Sequence, residues 1–186
     1  MRLFFAIGLD APLRETLGTV AAALRRRWPA RGSWVRPEHL HLTLRFLGEV
    51  DPVRTAALGD ALAPALSNLT PFTLRVAGLG AFPNPARAAV LWAGITLCPE
   101  LLQIHATIEN AVRSLGFPAE DKPFSPHLTL ARIRERVKVP DGAALLQACS
   151  AEVAGAVRVG EVVLFESRLS PAGPKYSVVR RFPLHP

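Results

Sequence analysis

His41-Leu42-Thr43-Leu44 recurs unchanged as His127-Leu128-Thr129-Leu130. In each copy a polar residue alternates with a leucine, and alternate side chains of a β-strand project to opposite faces. Each copy is therefore predicted to be a strand with His and Thr on one face and two leucines on the face that is buried. Either copy alone is typical of any half-buried strand. Because the chain has only five histidines, the identical repeat favours two similar halves that each contribute one motif strand to a shared functional cleft.

The sequence around the two motifs predicts alternating helices and strands. The predicted helices cover 13–28, 51–66, 99–115 and 142–150; extended segments or strands cover 2–9, 33–48, 72–79, 88–96, 124–133, 153–159, 161–170 and 176–182. Pro64 is expected to end or kink the second helix, and residues 171–174 are expected to form the turn between the last two strands. This order predicts an α+β architecture with mainly antiparallel sheets. No Pro/Gly/Ser-rich linker divides the chain, so residues 1–186 are predicted to be a single domain.

Composition limits the classes of protein to consider. The 186 residues, 49% of them hydrophobic, suffice for one domain with a substantial core. No segment approaches the roughly 20 apolar residues of a membrane span, and the first ten residues read as a strand rather than a signal peptide. A cytoplasmic protein without membrane contact is therefore predicted. The net charge of +7 favours a polyanionic partner such as RNA. Cys98 and Cys149 lack metal-ligand spacing and are expected to be buried thiols, although a disulfide stays open.

Two histidines can supply both proton transfers of a phosphoryl reaction. The unperturbed pKa of an imidazole is about 6.5, so near neutral pH one ring can donate a proton while the other accepts one. His41 and His127 are therefore the candidate catalytic residues, and each such role is typically worth about 10²–10⁴-fold in rate. The hydroxyls of Thr43 and Thr129, on the same faces, can donate hydrogen bonds to phosphate oxygens. The pattern predicts an in-line displacement at phosphorus that needs neither a metal nor another cofactor.

The segments that surround the motifs resemble a known family. Residues 36–50, RPEHLHLTLRFLGEV, and residues 124–132, FSPHLTLAR, are similar to the bacterial branch of the two-histidine phosphoesterase superfamily. This branch comprises the RNA 2′,3′-cyclic phosphodiesterases, also called 2′-5′ RNA ligases. The similarity extends from residues 2–7 to residues 170–176 and so spans nearly the whole chain.

The resemblance implies both a fold and an activity. The implied fold is bilobal, with two mainly antiparallel sheets related by pseudo-twofold symmetry around a central cleft and helices on the outside. The implied reaction is hydrolysis of a 2′,3′-cyclic phosphate at an RNA terminus to a 2′-phosphate, and a monomer without a cofactor is expected. By motif position, His41 would be the proton donor to the leaving 3′-oxygen and His127 the proton acceptor that activates water. Thr43 and Thr129 would bind the phosphate oxygens.

Two arginines near the motifs are further candidates. Arg132 resembles a phosphate-contacting arginine of the family. Strict alternation from His127 turns its side chain away from the cleft, so this assignment requires a bulge or the end of the strand. Alternation from His41 instead turns Arg45 toward the cleft, although a solvated arginine is the simpler interpretation.

Three alternatives stay open on sequence alone. His39 and His41 share a face of the predicted extended segment, and such pairs can bind zinc in a metal-dependent phosphoesterase. A non-catalytic module could instead bind RNA ends through arginines and the aromatic residues Phe46, Phe124 and Tyr176. Within the enzyme class, the same site could join RNA ends through a 2′-5′ linkage, which is the reverse reaction.

Overall fold

The computed structural model describes residues 1–135, 137–151, 153–170 and 173–185. Within these ranges the chain forms nine strands and four α-helices. The strands are β1 (Arg2–Gly8), β2 (Gly32–Trp34), β3 (His41–Glu49), β4 (Phe72–Phe82), β5 (Val90–Ile95), β6 (His127–Ile133), β7 (Ala154–Val159), β8 (Glu161–Ser170) and β9 (Gly173–Pro183). The helices are α1 (Ala11–Arg27), α2 (Pro52–Ser67), α3 (Pro99–Ser114) and α4 (Gly142–Ser150). The predicted α+β class is confirmed.

Local sequence signals explain where α1 and α2 begin. The carboxylate of Asp10 accepts a hydrogen bond from the backbone N–H of Leu13 at 3.0 Å, and that of Asp51 from Val53 at 2.8 Å. Each caps N–H groups that have no partner within the helix. Pro64 lies inside α2, which continues to Ser67, so this proline does not end the helix. None of the helices within the described ranges is both long and apolar enough to cross a membrane.

The sheet has two lobes, as predicted, but the lobes are joined. Its order within the described residues is β7-β4-β5-β6-β3-β1-β8-β9, with β2 paired to the side of β6, and all pairs are antiparallel. One lobe comprises β4 to β7 and the other β1, β3, β8 and β9. β3 and β6 meet at the single pair Leu42–Leu128. The two predicted sheets are thus the halves of one curled sheet, and equivalent leucines of the two motifs form the seam.

The helices cover the leucine face of this sheet. The motif leucines of both lobes belong to the same buried cluster as apolar residues from α1, α2 and α3. Burial of this face is the main reason for a defined register, since a slip of one residue would move every leucine to the other side. The opposite face, which bears the motif histidines and threonines, is left for a cleft.

The structure departs from the prediction in the segment before the first motif. It describes only a part of the predicted turn before β9. The predicted extended segment 33–48 is interrupted, because Pro37–His39 forms a 3₁₀ turn between β2 and β3. Of the predicted turn at 171–174, residues 171 and 172 lie outside the described residues, whereas Gly173 and Pro174 already belong to β9 and pair with β8, so the prediction of a turn at these two residues is wrong. Cys98 is half-buried and Cys149 buried, and both are free thiols rather than a disulfide.

Candidate active site

The two motif strands place their polar side chains on one face of the sheet. All four motif leucines are buried on the helix side, so the histidines and threonines project from the other side. Because β3 and β6 are antiparallel about the Leu42–Leu128 pair, Thr129 lies beside His41 and His127 beside Thr43. The two His-x-Thr sequences therefore adjoin each other at the seam between the lobes.

A β-bulge follows the first motif threonine. Ala6 of β1 lies opposite Thr43, whereas the preceding Phe5 lies opposite Arg45, so Leu44 is an extra residue in β3. Such an insertion reverses the alternation of the residues beyond it. Arg45 consequently points to the helix side and is buried. The expectation that Arg45 faces the cleft is wrong, because the bulge at Leu44 interrupts the alternation on which it depends.

The second motif carries the equivalent bulge. The register between β5 and β6 shifts after Thr129, so Leu130 is the extra residue there. Beyond this bulge Ala131 is buried, and Arg132 is exposed on the face that bears the motif histidines. The bulge that the assignment of Arg132 required is thus present. By symmetry, Phe46 of β3 occupies the position that Arg132 occupies in β6.

Arg45 instead forms a buried ion cluster behind the motif strand. Its guanidinium lies 2.7 Å from a carboxylate oxygen of Glu109 on α3 and 3.2 Å from one of Glu120. It also donates hydrogen bonds to the backbone carbonyls of Phe46, at 2.8 Å, and of Pro118. Pro118 and Glu120 belong to the segment that leads from α3 into β6. The cluster therefore connects the first motif strand to the approach of the second.

Each motif histidine is oriented by a carbonyl two residues before it. The distance from Nδ1 to the carbonyl oxygen is 2.7 Å both for His41 with His39 and for His127 with Ser125. A carbonyl only accepts, so Nδ1 of each ring must carry a proton and donate it. The nitrogen left for proton transfer is then Nε2 in both rings.

Aromatic rings pack around both imidazoles. The ring centroid of His41 lies 5.0 Å from that of Phe4 and 5.2 Å from that of Tyr176, which it meets edge to face. The centroid of His127 lies 5.0 Å from that of Phe82, also edge to face. These contacts limit the orientations that each imidazole can adopt. No motif in the sequence indicated Phe4 or Phe82; their position across from the motif strands is a tertiary feature.

Burial changes the acidity of His41. The pKa of His41 is lowered from its ordinary value of 6.5, chiefly because burial disfavours the charged ring. The positive charges of His39 and Arg132 lower this pKa further, whereas the hydrogen bond to the His39 carbonyl opposes the shift. Burial also raises the pKa of the Tyr176 hydroxyl, and Arg132 opposes that rise. The charge of Arg132 thus acts on both side chains from within the same cavity.

A cavity of about 1010 Å³ lies over the seam. Of the five predicted site residues, His41, Thr43, Thr129 and Arg132 line it. His127 is not among the lining residues, although it projects from the same face and is half-buried. Further lining residues that the sequence did not single out include Arg2, Trp34 and Arg134. Alternation along β1 places Arg2 on the same face as Phe4, which is a signal that strand periodicity contains.

The structure also shows where the residues of the alternative interpretations lie, namely those of the zinc site and of the RNA-end-binding module. His39 ends the 3₁₀ turn rather than lying on the motif strand, but it lines the same cavity as His41. Among the described residues, no group of three or more His, Cys, Asp or Glu side chains is arranged to hold a metal ion. Phe46 and Tyr176 line the cavity. Phe124 instead stacks on His105 of α3, with 3.9 Å between ring centroids.

Comparison with known proteins shows the family to which the chain belongs. The LigT-like phosphoesterase family matches the chain over residues 7–92 and 96–176. An RNA 2′,3′-cyclic phosphodiesterase of Archaeoglobus fulgidus is 35% identical over 182 residues, which cover 98% of this chain and 99% of that protein. One from Aeropyrum pernix is 37% identical, with 93% of each chain covered.

Solved structures agree with the sequence comparison. The protein TT0787 of Thermus thermophilus superposes with a TM-score of 0.81 at 29% identity, over 98% of this chain and 97% of that one. Escherichia coli LigT in complex with 3′-AMP superposes with a TM-score of 0.78 at 30% identity, with the same coverage. The chain belongs to the LigT-like phosphoesterases of the two-histidine phosphoesterase superfamily.

Proposed function

We propose that this chain is an RNA 2′,3′-cyclic phosphodiesterase that converts a terminal 2′,3′-cyclic phosphate to a 2′-phosphate without a metal ion. The observation that supports the proposal most directly is the juxtaposition of two His-x-Thr sequences on one face of the sheet at the seam. The names of the relatives from Archaeoglobus fulgidus and Aeropyrum pernix agree with this reaction. E. coli LigT, whose complex contains 3′-AMP, binds a nucleotide with a phosphate on the ribose.

The reaction divides two proton transfers between the histidines. Nε2 of His127 takes a proton from water as the water oxygen bonds to phosphorus, and the bond from phosphorus to the 3′-oxygen breaks. Nε2 of His41 gives its proton to that departing oxygen, which leaves a 3′-hydroxyl and a 2′-phosphate. His127 is then protonated and His41 neutral, and proton exchange with solvent restores the starting state. The same steps in the same direction, with a 5′-hydroxyl of RNA in the place of water, would instead form a 2′-5′ phosphodiester linkage, and their reversal would break that linkage and restore the cyclic phosphate.

The neighbouring polar groups are suited to the charge that develops on phosphate. The hydroxyls of Thr43 and Thr129 can donate hydrogen bonds to non-bridging oxygens, which gain negative charge in the transition state. Arg132 adds a full positive charge and up to two parallel N–H donors on the same cavity wall. None of these groups needs to carry a proton away, so they stabilise charge while the histidines transfer protons.

The lowered pKa of His41 places a condition on its role as proton donor. In the free protein burial favours the neutral ring of His41, whereas proton donation requires the charged ring. A bound phosphate diester carries a negative charge beside the ring, and this charge favours the imidazolium form. The substrate itself is therefore expected to raise the protonated fraction of His41.

An oligonucleotide that ends in a 2′,3′-cyclic phosphate tests the proposal. The purified protein, pretreated with a strong chelator, should release an oligonucleotide with a 2′-phosphate. His41→Gln and His127→Gln should each lower kcat by about 10²–10⁴-fold. His185→Gln is the matched control, because His185 lies after the last strand and outside the cavity lining, and it should retain the activity of the parent protein.

Three results would contradict parts of the proposal. Loss of activity on chelation, restored by zinc, would replace the two-histidine mechanism with metal-dependent hydrolysis. Tight binding without turnover by the parent protein would favour the non-catalytic RNA-end-binding module. A 3′-phosphate product would show that the bond to the 2′-oxygen breaks instead.

A further inference from the structure

The cavity over the seam is strongly basic. Four arginines line it, and no carboxylate is among the described residues that do so. The lining arginines are Arg2, Arg36, Arg132 and Arg134. The volume of about 1010 Å³ lies at the upper end of the range of roughly 300–1,000 Å³ that is typical of small-molecule sites. A single cyclic phosphate would fill only a part of this cavity. Its one negative charge would be balanced by one of the four arginines.

The four arginines differ in whether an ion pair or a place beside the motif histidines already accounts for their charge. Arg36 lies 3.4 Å from a carboxylate oxygen of Glu38, and Arg132 is close enough to His41 to affect its pKa. Arg2 and Arg134 are exposed, and within the described part of the chain neither forms an ion pair. Arg2 and Arg134 thus have no role in the proposed reaction at phosphorus and no counter-charge among the described residues.

The backbone holds both unassigned arginines on the walls of the cleft. Arg2 is the first residue of β1 and shares a face with Phe4, whose ring contacts His41. Arg134 directly follows β6, two residues after Arg132, and its backbone N–H donates to the carbonyl of Arg31 at 2.9 Å. One arginine therefore belongs to each lobe. A ligand that contacts both must extend across the cavity.

We propose that Arg2 and Arg134 bind phosphodiesters of the RNA chain that precedes the cyclic phosphate. The preferred substrate is then an oligonucleotide with at least two internal phosphates rather than a nucleoside cyclic phosphate. This inference rests on the proposed function and specifies its substrate class. Arginine recognises phosphate through a planar pair of N–H donors. An exposed aromatic ring, that of Phe46, shares the cavity and is 54% exposed, a combination typical of sites for single-stranded nucleic acid.

Chain length tests this assignment. We would measure kcat/KM for adenosine 2′,3′-cyclic phosphate and for a trinucleotide and a decanucleotide that end in the same group. The parent protein should prefer the oligonucleotides. Arg2→Gln and Arg134→Gln should each reduce the ratio of kcat/KM for the decanucleotide to that for the mononucleotide by about five- to tenfold. Arg113→Gln, an exposed position on α3, makes the same change of net charge and should leave the ratio unchanged.

Salt dependence and binding provide readouts that a structural defect would not reproduce. The slope of log(kcat/KM) for the decanucleotide against log salt concentration should become shallower by about 0.7 for each arginine removed. Fluorescence anisotropy with a labelled decanucleotide that ends in a 2′-phosphate should show weaker binding by both variants and unchanged binding by Arg113→Gln.

The outcomes separate this inference from the proposed function. Equal kcat/KM for the mononucleotide and the decanucleotide, or an unchanged ratio in both arginine variants, would overturn the inference and leave the proposed function intact. No turnover of any of the three substrates would refute the proposed function. In that case the anisotropy comparison still decides whether Arg2 and Arg134 bind RNA, and unchanged affinity in the variants would reject that role.

Discussion

Replacement of Arg45 by methionine is expected to destabilise the protein markedly. The Arg45 side chain is 7% exposed and lies within 3.2 Å of carboxylate oxygens of Glu109 and Glu120, whose side chains are 18% and 30% exposed. Methionine fills much of the space of the aliphatic stem but leaves both carboxylates without their counter-charge. It also removes the donors to two backbone carbonyls, those of Phe46 and Pro118.

The expected loss of stability follows from the two carboxylates that no longer have a counter-charge. Removal of one partner of a buried ion pair typically costs about 3–5 kcal/mol. Glu120 is the more exposed of the two carboxylates and can regain water, so a value near the lower end, about 3 kcal/mol, is expected. With an m value of about 2 kcal/mol/M, the midpoint of urea unfolding should fall by about 1.5 M. Arg31→Met is the matched control, because its pair with Glu135 is exposed on both sides, and it should cost less than about 1 kcal/mol.

Equal effects of the two substitutions would refute the reasoning. A loss under about 1 kcal/mol for Arg45→Met would mean that Glu109 and Glu120 are well hydrated without the guanidinium. The double variant Arg45→Met/Glu109→Met provides a further check. Because it removes one of the two stranded charges, it should be more stable than Arg45→Met alone. Lower stability of the double variant would show that the carboxylate has a role independent of Arg45.

Two other predictions concern the site itself. If His41 is the proton donor, kcat/KM should fall as pH rises through a value below 6.5, since burial lowers the pKa of this ring in the free protein and kcat/KM reports the free enzyme. A loss of kcat/KM on acidification through that value instead would make His41 the proton acceptor and so reverse the two roles. Gly80→Ala should destabilise the protein by about 1–3 kcal/mol, because the added Cβ would overlap the ring of Trp92, which lies opposite Thr129 on the neighbouring strand. Gly160→Ala, where a Cβ meets nothing within 4 Å, is the control, and equal urea midpoints for the two variants would count against the close contact.

Local sequence was sufficient to predict the four helices, most of the strands and the motif pair. The capping aspartates, the prolines at the first helical positions and the His-x-Thr alternation are short-range signals. They act through neighbouring backbone groups or through the face on which a side chain is buried. The four helices and both motif strands could therefore be predicted, and the repeated tetrapeptide indicated the pairing of the two lobes before the partners of any strand were known.

Tertiary structure decided the residues that follow each motif. Whether Arg45 or Arg132 faces the cleft depends on one extra residue in each motif strand, Leu44 and Leu130. A bulge is defined by the partner strand, so no periodicity within the motif strand itself reveals it. The same holds for the seam at Leu42–Leu128 and for the cavity that brings Arg2 and Arg134 together. Sequence alone determined which side chains could perform the chemistry, whereas strand pairing across the whole chain determined which of them share one space.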